Sequence, residues 1–200
     1  RPRPLCCRQP PSGKPLRQGE PGKPNYLNAP KVIDSWHATR GFKRAPEVVR
    51  TRMFFNHPGW IEANTDRVRS ALAEIPAGHE AHIAFTAHSI PVAMAAACRY
   101  EDQLRESARL VAEAVGAADT ALVYQSRSGP PHVPWLGPDI LDHLRALSER
   151  GVTDVVVSPI GFVSDHLEVL FDLDVEARDT AAELGMNLVR ASSAGTHPVF

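Results

Sequence analysis

Past residue 47 the chain alternates between short apolar runs and longer stretches in which apolar positions recur at a helical spacing. The runs at 48–55, 81–87, 121–125, 152–158 and 187–191 have the length and the β-branched content of strands. Between them, Ile61, Val68, Leu72 and Ile75 mark one face of a helix that opens at Asn56-His57-Pro58-Gly59 and closes near Pro76-Ala77-Gly78. Leu104, Ala108, Val111 and Val115 do the same for a helix over 100–115. Helices over 138–150 and 165–184 stop at Gly151 and Gly185. Residues 88–99 read as an irregular link, and 126–137 as a long polar loop. Strands alternating with helices predict an α/β fold: a parallel sheet with helices on both faces. In such a sheet ligands collect beyond the carboxyl ends of the strands.

Residues 1–30 break this pattern. They hold eight of the eighteen prolines and no apolar period, so they are expected to be disordered. The reading divides the chain into a Pro-rich basic tail, 1–45, and an α/β domain, 46–200. The net charge of −1 conceals +5 in residues 1–30 and −6 in the remaining 170, and a mildly acidic globular part argues against a nucleic-acid surface. Three cysteines, two of them adjacent in the tail, make no disulfide framework and point to a reducing compartment, most simply the cytoplasm. No apolar run approaches the ~20 residues of a spanning helix. No signal-peptide apolar core follows the basic start, so no leader is expected.

The chemistry-bearing residues fall at predicted strand ends. His88 lies just past the 81–87 run, where an imidazole can bind a metal or take a proton near neutral pH. Glu168, Asp172 and Glu176 are four apart, so on a helix they form a ladder of carboxylates on one face, with Leu167, Leu170, Phe171 and Leu173 on the apolar side. Like charges so spaced cost a helix roughly 0.2–0.5 kcal/mol per pair. A path for cations is one reason to keep them. Asp165 and Glu168 have capping-box spacing, so Asp165 reads as a cap, and Asp174 reads as part of a solvated face. His166 points away from Glu168 if both are helical. In the loop, Trp135 is either a plate for a planar ligand or a plug that pins the loop.

Common alternatives are missing: no G-x-G-x-x-G follows a strand, and there is no Walker A, C-x-x-C or G-x-S-x-G motif. Three segments, however, stand in a telling order. They are Phe85-Thr86-Ala87-His88-Ser89-Ile90-Pro91; Tyr124-Gln125-Ser126-Arg127-Ser128-Gly129-Pro130 with Pro134-Trp135-Leu136-Gly137-Pro138; and Pro159-Ile160-Gly161-Phe162-Val163-Ser164-Asp165-His166-Leu167-Glu168-Val169-Leu170-Phe171-Asp172. Together they closely resemble ferrochelatases, in particular actinobacterial enzymes of the coproporphyrin type, over about residues 46–200.

The resemblance implies a chelatase-like lobe, the C-terminal one of the family's two, and insertion of ferrous iron into coproporphyrin III or protoporphyrin IX in haem biosynthesis. It implies His88 and Glu168 as catalytic and metal-contacting residues and Asp172 and Glu176 as the acidic series leading away; Ser126 and Trp135, in the 126–137 loop, are the expected substrate contacts. Ferrous iron is then a substrate. The chain stops at Phe200, before the family's last helix and its cysteines, so no iron–sulfur cluster is expected. The partners implied are porphyrin and Fe2+, with a monomer and room for peripheral membrane contact. Two further readings stay open: a non-catalytic fragment that binds metal or tetrapyrrole, and a chelatase for another metal and macrocycle.

Overall fold

The computed structural model describes residues 52–130 and 132–200, together with a two-residue antiparallel pairing of β1 (Cys7–Arg8) with β2 (Glu47–Val48). The rest of the 1–45 tail, and the expectation of disorder over 1–30, lie outside the described residues.

The domain is four parallel strands with helices on both sides. Its elements run α1 (Pro58–Leu72), β3 (His82–His88), α2 (Val92–Ala96), α3 (Tyr100–Val115), β4 (Thr120–Gln125), α4 (Ile140–Glu149) and β5 (Asp154–Ser158). Then come α5 (Leu167–Phe171), a π-helical turn (Asp172–Ala177), α6 (Arg178–Glu183) and β6 (Asn187–Arg190). The strand order is β4-β3-β5-β6. Ile83 to His88 run beside Thr120 to Gln125, and Asp154 to Val157 beside Asn187 to Arg190.

Alternation along the strands splits the core in two. Ile83, Phe85, Ala87, Tyr124 and Val156 pack with Val68 and Ala71 of α1 and with Leu104, Ala108 and Val111 of α3. Ala84, Val123, Val155 and Val157 pack on the other face with Leu144 and Leu147 of α4, Val169 of α5, and Leu173, Ala177 and Ala181 beyond it. Both faces are therefore covered, which is why β5 is buried at every residue and reads as one apolar run.

Three expectations change. No strand forms over 52–55; residues 55–56 turn into α1, whose N-cap His57 accepts a hydrogen bond from the Gly59 amide through Nδ1. Short α2 interrupts the link after β3, and its apolar Val92 and Met94 are exposed rather than packed. The helix expected over 165–184 starts only at Leu167 and carries the π-helical turn in its middle. A π turn bonds i to i+5 and so holds one residue more than an α turn. Residues four apart there do not stand above one another, and Glu168, Asp172 and Glu176 are not the straight ladder of a regular helix.

Candidate active site at the carboxyl edge of the sheet

Two loops build the site because one crosses the other closely. After β5 the chain passes over the end of β3: the Gly161 amide donates to the Thr86 carbonyl at 3.0 Å, and a Cβ at 161 would stand 2.6 Å from that of Ala87. Only glycine permits that approach. It carries α5 over the last residue of β3, His88.

The result is a facing pair. His88 Nε2 lies 3.4 Å from Glu168 Oε1, the imidazole mostly shielded and the carboxylate nearly half exposed. His88 Nδ1 is 2.5 Å from the carbonyl oxygen of Ser89, which can only accept, so the ring proton belongs on Nδ1. Nε2 is then the nitrogen that faces the carboxylate. The two atoms can share a proton as a histidine–carboxylate ion pair, or give it up and offer two lone pairs to a cation. The backbone beneath them is fixed, since Tyr100 donates its hydroxyl proton to the His88 carbonyl (2.9 Å) and Ser89 donates to that of Leu136 (2.7 Å).

Asp172 lies one turn beyond Glu168. Its Oδ2 accepts from Ser126 Oγ and, at 3.2 Å, from Nε2 of the buried Gln125. Ser126 holds a left-handed backbone, φ 61°, a conformation that non-glycine residues pay for in strain and that clusters at functional loops. Asp139 caps α4 through a bond from the Leu141 amide (2.9 Å). Burial pushes its carboxyl up, with the negative charges of Asp142 and Asp172 adding to the rise. Glu176 lies on the exposed side of the turn. His88, Glu168, Asp172 and Ser126 thus come together at one edge, with Glu176 farther along the same segment. Among the described residues no three metal-ligating side chains converge on one point.

Trp135 packs as a plug. Its indole covers Gly129, where a Cβ would fall 2.2 Å from the ring, and bonds from Val92 N to Pro134 O and from Leu136 N to Ile90 O (2.9 Å each) pin the loop.

Two readings need correction. Asp165 does not cap α5; His166 holds that position without a side-chain bond, its ring edge-on to Phe162. Asp165 instead accepts from Arg190 Nη1 (3.1 Å) and Ser193 Oγ (2.5 Å). Asp174 is no solvated residue either, for Arg190 Nε donates to it at 2.6 Å and Arg178 lies 3.6 Å away. Burial alone would pull Arg190 down, but these two carboxylates more than offset it and leave the guanidinium above its ordinary range. The apolar side also differs: Val169 and Leu173 are buried, whereas Leu170, Phe171 and Leu167 are exposed, Leu167 by 83%.

Sequence reasoning missed Gln125, Tyr100, Asp139 and Arg190. Only Gln125 and Arg190 had a signal, a polar residue ending an otherwise apolar strand.

The ferrochelatase family model matches residues 27–200. A coproporphyrin III ferrochelatase of Nocardia farcinica is 55% identical over 166 residues, covering 78% of this chain and 47% of that protein. A ferrochelatase of Rhodopirellula baltica is 56% identical over 158 residues, with 78% and 45% coverage. A coproporphyrin III ferrochelatase of Mycolicibacterium vanbaalenii is 49% identical over 161 residues. The chain therefore spans about half the length of the curated relatives it matches. With a family model covering most of its length and relatives at this identity, the chain belongs to the ferrochelatase family.

Proposed function

We propose that this chain carries the metal-insertion centre of an enzyme that places ferrous iron into coproporphyrin III, in the cytoplasm and as a monomer, with 46–200 as the chelatase lobe. The observation that carries the reading is the facing pair of ligand-type atoms, His88 Nε2 and Glu168 Oε1, 3.4 Å apart. Bonds of about 2.1 Å, usual for imidazole and carboxylate ligands to a first-row divalent ion, reach a common point between atoms at that separation. Ferrous iron accepts both donors.

Insertion exchanges two pyrrole N–H protons for one Fe2+, so the site must both pass a cation and accept protons. Nε2 has the lone pair for a proton, and Glu168 has room to move because it is nearly half exposed. A pair of ligands, rather than a closed cage, lets the metal leave. Asp172, held by Ser126 and Gln125, supplies negative charge one turn away, and Glu176 extends it toward solvent. The helices that flank the pair expose Val92 and Met94 on one side and Leu167 and Phe171 on the other, which is apolar surface for the face of a macrocycle. Trp135 and Ser126 would act at the rim, Trp135 by shaping the loop.

The test follows the porphyrin absorption band anaerobically. Coproporphyrin III is added to the chain, then ferrous iron; the iron-porphyrin spectrum should develop with the wild type and vanish for His88→Ala and Glu168→Gln. Because the chain spans about half of its relatives' length, binding without insertion has its own support. A porphyrin shift with no metallation, equal in all three proteins, would establish that second reading.

A further inference from the structure

We infer that Arg190 is a positioning residue of this site: its guanidinium ties the loop before α5 to the π-helical turn behind it, and so sets where Glu168 and Asp172 stand. This rests on the metal-centre reading above. Arg190 ends β6, the edge strand beside β5, at the same carboxyl edge as His88. Its side chain is only 12% exposed, and it reaches in two directions. Nε donates to Asp174 Oδ1 at 2.6 Å, inside the π turn; Nη1 donates to Asp165 Oδ1 at 3.1 Å, in the loop that precedes α5. Ser193 adds its amide (3.3 Å) and hydroxyl (2.5 Å) to the same Asp165 oxygen. Arg178, four residues on, is the other cation near Asp174.

The two anchored carboxylates bracket the segment that contains both acidic residues of the site. A π turn is far rarer than an α turn and occurs mostly as a single insertion within a helix at a functional site. Here the holding contact falls on Asp174, within the turn. Released from it, the turn can rewind toward i to i+4 bonding, which rotates Asp172 away from Ser126 and Gln125. Released at Asp165, the start of α5 loses the tether three residues before Glu168. The geometry is specific to a fork: one planar guanidinium serves two carboxylates through different nitrogens, which a lysine ammonium on its flexible stem does not reproduce.

The experiment uses the full chain with cobaltous ion as a stand-in for ferrous iron, following its visible bands, for the wild type, Glu168→Gln, Arg190→Gln and Arg190→Lys. The wild type should saturate and Glu168→Gln should not. Both Arg190 variants should bind about tenfold more weakly or worse, as with the loss of other outer contacts to metal ligands, and with shifted bands; lysine should not rescue. In the metal-free chain, NMR should show the amides of 166–177 and the His88 ring displaced in Arg190→Gln, with His79, His82 and His143 unmoved. Wild-type affinity, bands and amide positions in Arg190→Gln would overturn the inference. No saturable uptake by the wild type, or full uptake by Glu168→Gln, would overturn the metal-centre reading instead, and the NMR arm would then decide Arg190 alone. If Arg190→Gln does not fold, Asp174→Asn removes the shorter contact and is read the same way.

Discussion

The two edges of the sheet are built from the same residue types and end in opposite states. At the amino edge, the carboxylates of Asp154 and Asp119 are matched by donors. The buried Asp154 accepts from Asn187 (2.8 Å) and Thr153 (2.8 Å) and pairs with His79 (2.9 Å). Asp119 has His82 Nδ1 at 3.0 Å, an ion-pair distance without a well-aligned hydrogen bond, and Arg150 at 3.4 Å. His82 Nε2 then meets His143 Nε2 at 3.0 Å. At the carboxyl edge, His88 and Glu168 face each other at 3.4 Å with the carboxylate nearly half exposed, and Asp172 behind them is held by the neutral donors Ser126 and Gln125. Histidine beside a carboxylate does not mark a functional site. What separates the edges is whether further donors fix the carboxylate, as Asn187 and Thr153 do for Asp154, or leave it open to a ligand, as at Glu168.

That difference should appear first as stability. Asp154→Ala removes a buried carboxylate together with its bonds from Asn187, Thr153 and His79, all of which can turn to water, and is expected to cost about 1.5 kcal/mol in chemical denaturation. Glu168→Gln keeps the size of a half-exposed side chain and should change stability by less than about 0.5 kcal/mol, the scale of an exposed ion pair. Equal losses at the two edges would erase the contrast. The donors of Asn187 first, then His79 and Thr153, hold the Asp154 carboxyl below its ordinary range. Its contribution is therefore present above the unfolded value, near 4, and disappears as pH falls through the lower folded value.

The amino edge should also have an acid limb of its own. Burial first, then Coulombic interaction with His82 and Arg150, pulls the His143 ring down to about 4. A base with a depressed folded pKa contributes its stability above the unfolded value, about 6.5, and loses it as pH falls from there toward 4. Discounted for its partial exposure, the loss should be about 2 kcal/mol across that window. His143→Gln keeps a partner for His82 and removes the titration, so its melting temperature should fall less than the wild type's between pH 7 and pH 5. Parallel curves would show that the pair holds a proton comfortably.

The fold was legible wherever burial on two faces forced a plain pattern. β3, β4, β5 and β6, with α1, α3 and α4, lie within a few residues of where their apolar spacing put them. The 48–55 run misled because alternation is also compatible with the stretch where Phe54 turns in against Trp60 and Phe200. His88 and Glu168 were legible as strand-end residues, since topology alone sends them to one edge. The π-helical turn was not: the periodicity of 165–184 fits an α-helix nearly as well, and what distinguishes the two is Arg190, distant in sequence. Asp165 was misassigned for the same reason, a local capping pattern outcompeted by a tertiary partner.

The smallest effect probes the carboxyl edge most finely. In a regular helix, removing the negative charge of Glu176 four residues from Asp172 would stabilise by roughly 0.2–0.5 kcal/mol. Here the pair spans the π turn, so the two carboxylates are not stacked, and Asp172 is already bonded to Ser126 and Gln125. Glu176→Gln should therefore fall at or below the bottom of that range, a shift of melting temperature near the limit of measurement. Its electrostatic role is separable. An exposed carboxylate that draws cations inward acts through long-range attraction, which salt screens over about 10 Å at 0.1 M. Glu176→Gln should slow cobaltous ion uptake at low ionic strength and leave it unchanged at high ionic strength, with the final affinity set by His88 and Glu168 unaltered. Stopped-flow uptake measured at both salt levels decides the matter: identical rates in wild type and variant at low salt would mean that Glu176 is an ordinary surface charge and that the acidic series ends at Asp172.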